Sequence, residues 1–356
     1  MKHIVVDFSA LDDMCGFGEI ARNYCPRLAK MHFDDMRFIF ILPERHKGEF
    51  GNHIDYVSKE NLKNEIKHYQ EVDLWHATDQ QFRYRRKSKG TLQLLTVHDL
   101  NYLREKHGIH LLKHKLRTPW IINHSDYITV ISEYVRDDIR KNIPSVKKDM
   151  QVIYNGIADD ENGEQKRPSF VSSDEERFFF TIGQVRPKKN FHTLVPMMKS
   201  FPNHRLFICG DDHWDYSAQI KNMIDVEDKE RILVTGKISN EEKRWLYTHC
   251  EAFLFPSTLE GFGIPVLEAM RYGARVVSSR CTCLPEVCGS HAAYWDCFDP
   301  VHMAQVVKSA ISGWDSKGRM ACQAAEYSKS FNYDRYTKEY VALYRKLLAL
   351  PILDQP

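Results

Sequence analysis

The sequence predicts an α/β protein with two Rossmann-like, doubly wound parallel-sheet domains that face each other across a cleft. The chain has 356 residues, which is too long for one ordinary hydrophobic core. Short apolar segments alternate with helical patterns in both halves, which is typical of parallel sheets. A polar, turn-rich segment separates the halves. We therefore expect an N-terminal domain at 1–158, a linker at 159–176, a C-terminal domain at 177–333 and a final segment at 334–356.

Short apolar segments predict the strands of these two sheets. In the first half they are 3–7, 37–42, 74–77, 92–97, 127–130 and 151–154. In the second half they are 177–182, 205–209, 231–235, 252–255 and 275–278. Beyond the last strand, apolar residues at helical spacing over 334–350 predict an amphipathic helix.

The composition excludes several classes of protein. Lys and Arg number 50 against 48 Asp and Glu, so the overall field would not collect nucleic acid. No segment approaches the roughly 20 apolar residues that a membrane-spanning helix needs, and we expect a cytoplasmic protein. The nine cysteines are an odd number, which favours reduced thiols over a disulfide framework. The cluster Cys281, Cys283, Cys288 and Cys297 lacks the paired spacing of a zinc site, so no metal is expected.

The segment 255–273, FPSTLEGFGIPVLEAMRYG, predicts a strand, a glycine-rich turn and a helix. Gly263 lets the backbone turn tightly, Pro265 suits the first helical position, and Gly273 suits the left-handed close of the helix. The N–H groups near Gly263 and Ile264 would then point outward at the positive end of the helix. This is a ready site for a phosphate or a developing negative charge.

Glu260 and Glu268 flank this turn, and their Glu-x7-Glu spacing in EGFGIPVLE resembles the donor-site signature of retaining glycosyltransferases of family 4, which have the two-domain GT-B fold. The resemblance implies that Glu268 holds a ribose and Glu260 contacts hydroxyls of the transferred sugar. It also implies that backbone N–H groups of Phe262, Gly263 and Ile264 assist the leaving group. Alternatively, Glu260 complements a helix dipole and Glu268 is a solvated helix residue. The resemblance further implies that the final helix packs back on the first domain.

Two segments of the first half resemble the same family. In GFGEIARN, Gly16 and Gly18 correspond to a glycine-rich loop that lets the backbone approach the donor diphosphate, although such a pair also suits a simple tight turn. LLTVHDL resembles the TIHDL segment of mannosyltransferase-like members. Its His98 ends a strand, where open α/β sheets place ligand contacts. It could donate to a sugar hydroxyl or stabilise charge at the anomeric carbon; the alternative is a histidine that caps a loop.

FFFTIGQVRPKKN resembles the family segment YVGTLEPRKN, in which the lysine before Asn contacts the donor phosphates. Lys189 is that lysine, Lys188 takes the place of the usual Arg, and Gly183 is the glycine of the segment. Many relatives carry Arg directly after this glycine, where this chain has Gln184, and Arg186 is the candidate replacement. The alternative is a solvated basic turn.

These resemblances imply a retaining hexosyltransferase. It would move a hexose, mannose in the favoured case, from a nucleotide-diphosphate sugar to a glycan or lipid-linked acceptor in bacterial surface polysaccharide synthesis. No metal or cofactor is expected, because lysines and a helix start can neutralise the leaving diphosphate. No nucleic acid partner is expected, because the net charge is close to zero. Alternatives are a catalytically silent nucleotide-sugar-binding protein, or a phosphorylase or epimerase on the same fold. The nucleotide stays open.

A basic region at 83–117 suggests peripheral contact with an anionic membrane or a lipid-pyrophosphate acceptor. Its cationic residues lie at 83–89 and 106–117. Each cationic residue near a lipid surface adds about 1 kcal/mol of attraction. The same pattern also fits ordinary solvated charge.

Overall fold

A computed structural model describes residues 1–69, 71–80, 90–315 and 318–351. The basic segment 83–89 lies outside these residues. The chain divides into two compact units, one formed by Met1–Ala158 with Asn332–Pro356 and the other by Asp159–Phe331. Residues 159–176, for which the sequence predicts a linker, are therefore part of the second unit.

The first unit contains a seven-stranded sheet in the order β3-β2-β1-β4-β5-β6-β7, and every pairing is parallel. This confirms the predicted doubly wound parallel sheet. Its strands are β1 (Lys2–Asp7), β2 (Met36–Leu42), β3 (Asp55–Ser58), β4 (Leu74–Ala77), β5 (Leu92–Val97), β6 (Tyr127–Val130) and β7 (Met150–Val152).

The second unit contains a six-stranded sheet in the order β10-β9-β8-β11-β12-β13, again parallel throughout. Its strands are β8 (Phe178–Ile182), β9 (Arg205–Cys209), β10 (Ile232–Gly236), β11 (Ala252–Phe255), β12 (Val276–Ser279) and β13 (Ala292–Trp295).

Helices connect and cover these strands. Those of the first unit are α1 (Gly16–Ala29), α2 (Leu62–Glu65), α3 (Tyr102–Glu105), α4 (Gly108–His124), α5 (Glu133–Asn142) and, at the end of the chain, α13 (Tyr333–Leu347). Those of the second unit are α6 (Leu194–Met197), α7 (Asp215–Met223), α8 (Asn240–His249), α9 (Ile264–Arg271), α10 (Leu284–Cys288), α11 (Pro300–Ser312) and α12 (Arg319–Lys329). Among the described residues, none of these helices combines the length and apolarity needed to cross a bilayer.

The sequence did not predict two strands, β3 and β13. Both are edge strands of four residues. An edge strand is buried less completely than a central one, so its sequence carries a weaker apolar signal. In β3, DYVS, a paired charge adds to the backbone bonds: Asp55 accepts from Arg37 of β2 at 2.7 Å.

The final helix α13 belongs to the core of the first unit. Tyr336, Tyr340 and Tyr344 lie on one face of it at helical spacing and are buried. The Tyr344 hydroxyl bonds the Tyr24 hydroxyl of α1 and Nδ1 of His76 in β4, both at 2.7 Å. Hydroxyl hydrogen bonds thus fasten this helix to both α1 and the sheet.

Candidate active site

The carbonyl oxygen of Lys188 joins two loops at the carboxyl edge of the second sheet. It accepts hydrogen bonds from the backbone N–H of Thr258 at 2.8 Å and from its hydroxyl at 3.1 Å. The Ser257 hydroxyl adds a third bond at 3.2 Å. The loop that follows β8 is therefore held against the loop that follows β11. These bonds fix the backbone directly before Lys189.

Lys189 and Glu260 form an ion pair, with 2.5 Å between Nζ and Oε1. Both side chains are nearly buried, at 11% and 12% exposure. Nζ also lies 5.0 Å from the ring centroid of Phe255, and a β-carbon at Gly183 would lie 3.2 Å from Cε of Lys189. The structure thus brings together three of the predicted site residues, and it packs the lysine stem tightly. A cation held in so little water interacts strongly with any added charge.

The backbone of Glu260 is fixed separately from its carboxylate. Its N–H donates to the hydroxyl of Thr282 at 3.2 Å, and the thiol of Cys283 donates to its carbonyl at 3.5 Å. Burial raises the pKa of the Cys283 thiol, so this sulfur stays protonated and able to donate. This cysteine therefore has a structural role beside the site.

The described part of the chain holds no group of three His, Cys, Asp or Glu side chains that could bind a metal ion. Cys283 and Cys288 are buried while Cys297 is exposed, and all three are free thiols. That activity needs no metal stays a prediction from the sequence.

Helix α9 begins at Ile264, one residue before Pro265, where the sequence predicts the first helical position. Gly263 precedes it with φ +94°, in the left-handed region, and a β-carbon there would lie 2.8 Å from Cδ2 of Leu284. Glycine is therefore required for both conformation and space. Ile264 and Pro265 form the first turn. The ring of Phe262 is buried, so any contact of this residue with a ligand must come from its backbone.

Glu268 is held by two side chains of helix α8 that the sequence analysis missed. Nζ of Lys243 lies 2.8 Å from Oε1, and the Tyr247 hydroxyl donates to Oε2 at 3.0 Å. The carboxylate is only 12% exposed. Because each carboxylate oxygen has two lone pairs, each can accept one further hydrogen bond, which suits the two hydroxyls of a ribose. The i, i+4 spacing of Lys243 and Tyr247 was the available sequence signal.

The same network reaches the first residues of the second unit. The ring of Tyr247 stacks on Tyr272 at 5.8 Å, and the Tyr272 hydroxyl donates to Asp160 at 2.7 Å. Arg244 pairs with the other oxygen of Asp160 at 3.1 Å. Burial is the largest cause that raises the pKa of Tyr272, and the hydrogen bond to Asp160 is the second. The start of the predicted linker is therefore tied to α8 and to the end of α9.

His98 lies in the first unit, directly after β5, and is 5% exposed. Its Nε2 is 2.7 Å from the carbonyl oxygen of Thr78, which can only accept, so Nε2 carries a proton. Burial lowers the pKa of His98, which favours the neutral ring with Nδ1 as an acceptor. The ring meets Phe17 edge to face at 4.8 Å. The Nε2 proton is committed to Thr78, so this ring is arranged to accept a hydrogen bond rather than to donate one.

Gly16 and Gly18 occupy the first turn of α1, also in the first unit. A β-carbon at Gly18 would lie 1.8 Å from the carbonyl oxygen of Asp13, so the loop before the helix packs directly on this glycine. Gly16 is exposed, and a β-carbon there would meet nothing within 4 Å. Gly18 therefore has a clear packing role, while the contact of either glycine with a diphosphate stays a prediction.

Arg186, the candidate replacement for the family arginine, lies with its guanidinium 4.7 Å from the ring centroid of Trp214. Its guanidinium thus lies over the ring of a tryptophan in the loop that follows β9, at a distance typical of a cation–π interaction.

Two family models match this chain, one to each half. The model described as Glycosyltransferase Family 4 matches residues 24–161, and that described as Glycosyl transferases group 1 matches residues 162–327. Together they extend over most of both units.

Curated relatives of the chain include bacterial mannosyltransferases. The O-antigen chain mannosyltransferase RfbU of Salmonella typhimurium is 25% identical over 245 residues, which are 66% of this chain and 65% of RfbU. The serotype-specific mannosyltransferase WbdA of Escherichia coli is 28% identical over 171 residues, which are 43% of this chain and 20% of WbdA. The matched region is thus less than two thirds of the length of either relative.

Among solved structures, Anabaena Alr3699/HepE in complex with UDP-glucose superimposes with a TM-score of 0.70. The two proteins are 18% identical, and the match covers 97% of this chain and 100% of that chain. A similarity of this kind establishes the fold, and it agrees with the two parallel sheets described above.

Proposed function

This chain is a glycosyltransferase of family 4 with the GT-B fold, and on that premise we propose that it transfers a hexose from a nucleoside-diphosphate sugar to a glycan or lipid-linked acceptor, with retention of the anomeric configuration. The observation that carries the proposal is the nearly buried pair of Lys189 and Glu260 at the carboxyl edge of the second sheet. Open α/β sheets bind their ligands at this edge. A phosphate and a sugar hydroxyl are natural partners for an ammonium beside a carboxylate.

The donor is proposed to bind with its ribose on Glu268 and its diphosphate at Lys189, Lys188 and the start of α9. Glu260 accepts from hydroxyls of the transferred sugar. As the bond to the diphosphate breaks, negative charge grows on the leaving oxygen, and the interaction with Lys189 strengthens. That cation therefore favours the transition state over the bound donor.

The transfer step is proposed to use no protein nucleophile. The bond between the anomeric carbon and the diphosphate oxygen breaks, and the acceptor oxygen bonds the same face of that carbon. The acceptor proton passes to the departing phosphate oxygen, so charge and atoms balance. The first unit supplies His98, Gly16, Gly18 and the acceptor surface. A transient covalent adduct is the alternative, and it would be visible by mass spectrometry of denatured enzyme after mixing with donor.

Mannose is the favoured sugar, and a bacterial surface polysaccharide is the favoured product. RfbU and WbdA, which carry mannosyltransferase names, support this choice. Because HepE was solved with UDP-glucose, UDP-sugars belong in the same test. We further propose a cytoplasmic, metal-independent enzyme that meets its acceptor at the inner face of a membrane.

Thermal unfolding with GDP-, UDP-, ADP- and dTDP-sugars tests the proposal, because a ligand of the folded state raises the midpoint. We expect GDP-mannose to raise it most, and then to lose its mannose slowly to water without any acceptor. The release rate should be unchanged by EDTA.

Four results would contradict these statements. Stabilisation by no sugar nucleotide would remove the donor assignment. Binding without any release or transfer would indicate a silent binding protein, and sugar phosphates or epimerised nucleotide sugars as products would indicate a phosphorylase or epimerase. Loss of activity in EDTA with recovery in magnesium would overturn metal independence.

Lys243 is proposed to be a positioning residue for the ribose contact. Lys243→Met removes the ammonium that orients Glu268, so the donor KM should rise about tenfold with little change in kcat. Glu268→Ala should raise the donor KM further, because it deletes the acceptor itself. Steady-state kinetics at saturating acceptor measure both effects.

The matched control is Lys199→Met, because that lysine is exposed and pairs with Asp225 away from Glu268. An unchanged donor KM in Lys243→Met would show that the lysine has only a structural role. A fall in kcat of Glu268→Ala without any change in its donor KM would contradict ribose binding by Glu268.

A further inference from the structure

Helix α4 presents a row of large apolar side chains to solvent. Ile109, Leu112, Leu116 and Trp120 are 78%, 57%, 68% and 51% exposed. They are spaced by three, four and four positions, so they fall on one face of the helix. Single exposed apolar residues are ordinary, but a contiguous row of four marks an interaction surface. We call these four residues the α4 apolar row.

The opposite face of α4 holds the helix to the first unit. Thr118, Ile121 and Ile122 are buried. Near the end of the helix, Nζ of Lys148 donates to the carbonyl oxygen of Asn123 at 2.8 Å. One face of the helix therefore packs on the first unit. The apolar row lies on the opposite face and so points to solvent.

Cationic side chains flank the apolar row. Lys113 and Arg117 are exposed on one side of it and Lys115 is exposed on the other, as helical spacing places them. The helix sequence, GIHLLKHKLRTPWIINH, contains no Asp or Glu. Burial, and after it the cations Lys106, Arg117 and Lys113, lower the pKa of His114, which agrees with a positive potential along this helix. An apolar row between cations is the pattern of a helix that lies in a lipid headgroup region.

From this arrangement we propose that α4 is a membrane-docking helix, and that its partner is an anionic lipid surface into which the apolar row inserts. The helix has 17 residues, so it lies along the surface and does not span it. A second copy of the chain fits the face less well, because a twofold contact would place its cations against one another. Docking here would hold the enzyme where a lipid-linked acceptor is found, but the binding itself does not depend on transfer.

Co-sedimentation of the full chain with vesicles tests the docking, and it needs no sugar nucleotide. The vesicles are pure phosphatidylcholine or equal parts phosphatidylcholine and phosphatidylglycerol. We expect binding to the anionic vesicles only. Leu112→Ser with Leu116→Ser should weaken it about tenfold or more, because two exposed leucines lose their burial in lipid. Lys113→Gln with Lys115→Gln should also weaken it and lessen its dependence on salt.

Each double variant has a matched control elsewhere in the chain. Val226→Ser with Val301→Ser removes two exposed apolar residues of the second unit, which are 82% and 62% exposed. Lys141→Gln with Lys147→Gln removes two exposed cations of the first unit. Both controls should bind as the wild type does, and all variants should keep the wild-type unfolding midpoint, since every changed side chain is exposed.

Equal binding by wild type and the leucine variant would overturn the proposal, as would a failure of the wild type to bind anionic vesicles. A wild-type dimer in sedimentation velocity that the leucine variant converts to monomer would assign the apolar row to a second copy instead. None of these outcomes bears on the sugar-nucleotide screen, so the two proposals fail separately.

Discussion

Lys189→Ala is expected to lower kcat by a factor of about 10² to 10³, because it removes the cation that meets the growing charge of the leaving diphosphate. Lys189→Arg should recover only part of this loss, since a planar guanidinium cannot place its charge where the ammonium lies against Glu260 and Phe255. The rate of nucleoside-diphosphate release measures both variants. Lys199→Ala, which changes an exposed lysine of the same unit, should keep the wild-type rate.

Loss of folding must be separated from loss of chemistry in this experiment. Lys189→Ala leaves the nearly buried carboxylate of Glu260 without its partner. In comparable buried pairs, such a change lowers the free energy of unfolding by about 3–5 kcal/mol. The double variant Lys189→Met with Glu260→Gln keeps the volume and removes both charges. It should regain much of the unfolding midpoint while activity stays low. Wild-type turnover in Lys189→Ala, or recovery of turnover in the double variant, would exclude an electrostatic role for this lysine.

His98→Ala is expected to lower kcat by roughly 10² with little change in donor affinity. Nε2–H is bonded to Thr78, so the lone pair of the unprotonated Nδ1 is free to accept from a hydroxyl of the transferred sugar and to stabilise positive charge at the anomeric carbon. The pKa of His98 lies below its usual 6.5, so the ring is neutral above that pH. The contribution of His98 to kcat should therefore be constant above pH 6.5 and fall only in more acidic solution.

His76 provides the contrast for this experiment. It is also buried, burial lowers its pKa to about 3, and its two nitrogens bond the hydroxyls of Tyr344 and Thr96. His76→Ala should therefore lower the unfolding midpoint but leave kcat of the folded protein unchanged. If His98→Ala behaves as His76→Ala does, with lower stability and unchanged kcat, His98 only caps its loop.

Much of the fold could be predicted from the sequence, because buried parallel strands are nearly continuous apolar segments. The four-residue β11, AFLF, is fully buried and was predicted with its observed bounds. The edge strand β3 has the same length, but its sequence DYVS contains only one clearly apolar aliphatic residue. Its place depends on pairing with β2 and on the bond between Arg37 and Asp55, which are contacts that no local pattern displays.

The site could be predicted wherever a local motif carried it. The start of α9 was such a case, to within one residue, since Gly263 and Pro265 mark a tight turn and an early helical position in the sequence. The pairing of Lys189 with Glu260 was not, because the two residues are 71 positions apart and meet only through the packing of two loops. Lys243 was missed for a related reason. A lysine on an amphipathic helix looks like solvated charge until the partner helix is known.

The tyrosine bonds of α13 have a consequence for the order in which the protein is made. The core of the first unit needs side chains from both ends of the chain, as the contact of Tyr24 with Tyr344 illustrates. The second unit is one continuous segment, Asp159–Phe331. During synthesis this segment emerges from the ribosome before α13 does, so it can complete its core first. The half of the protein that is synthesised first is therefore the half that finishes folding last.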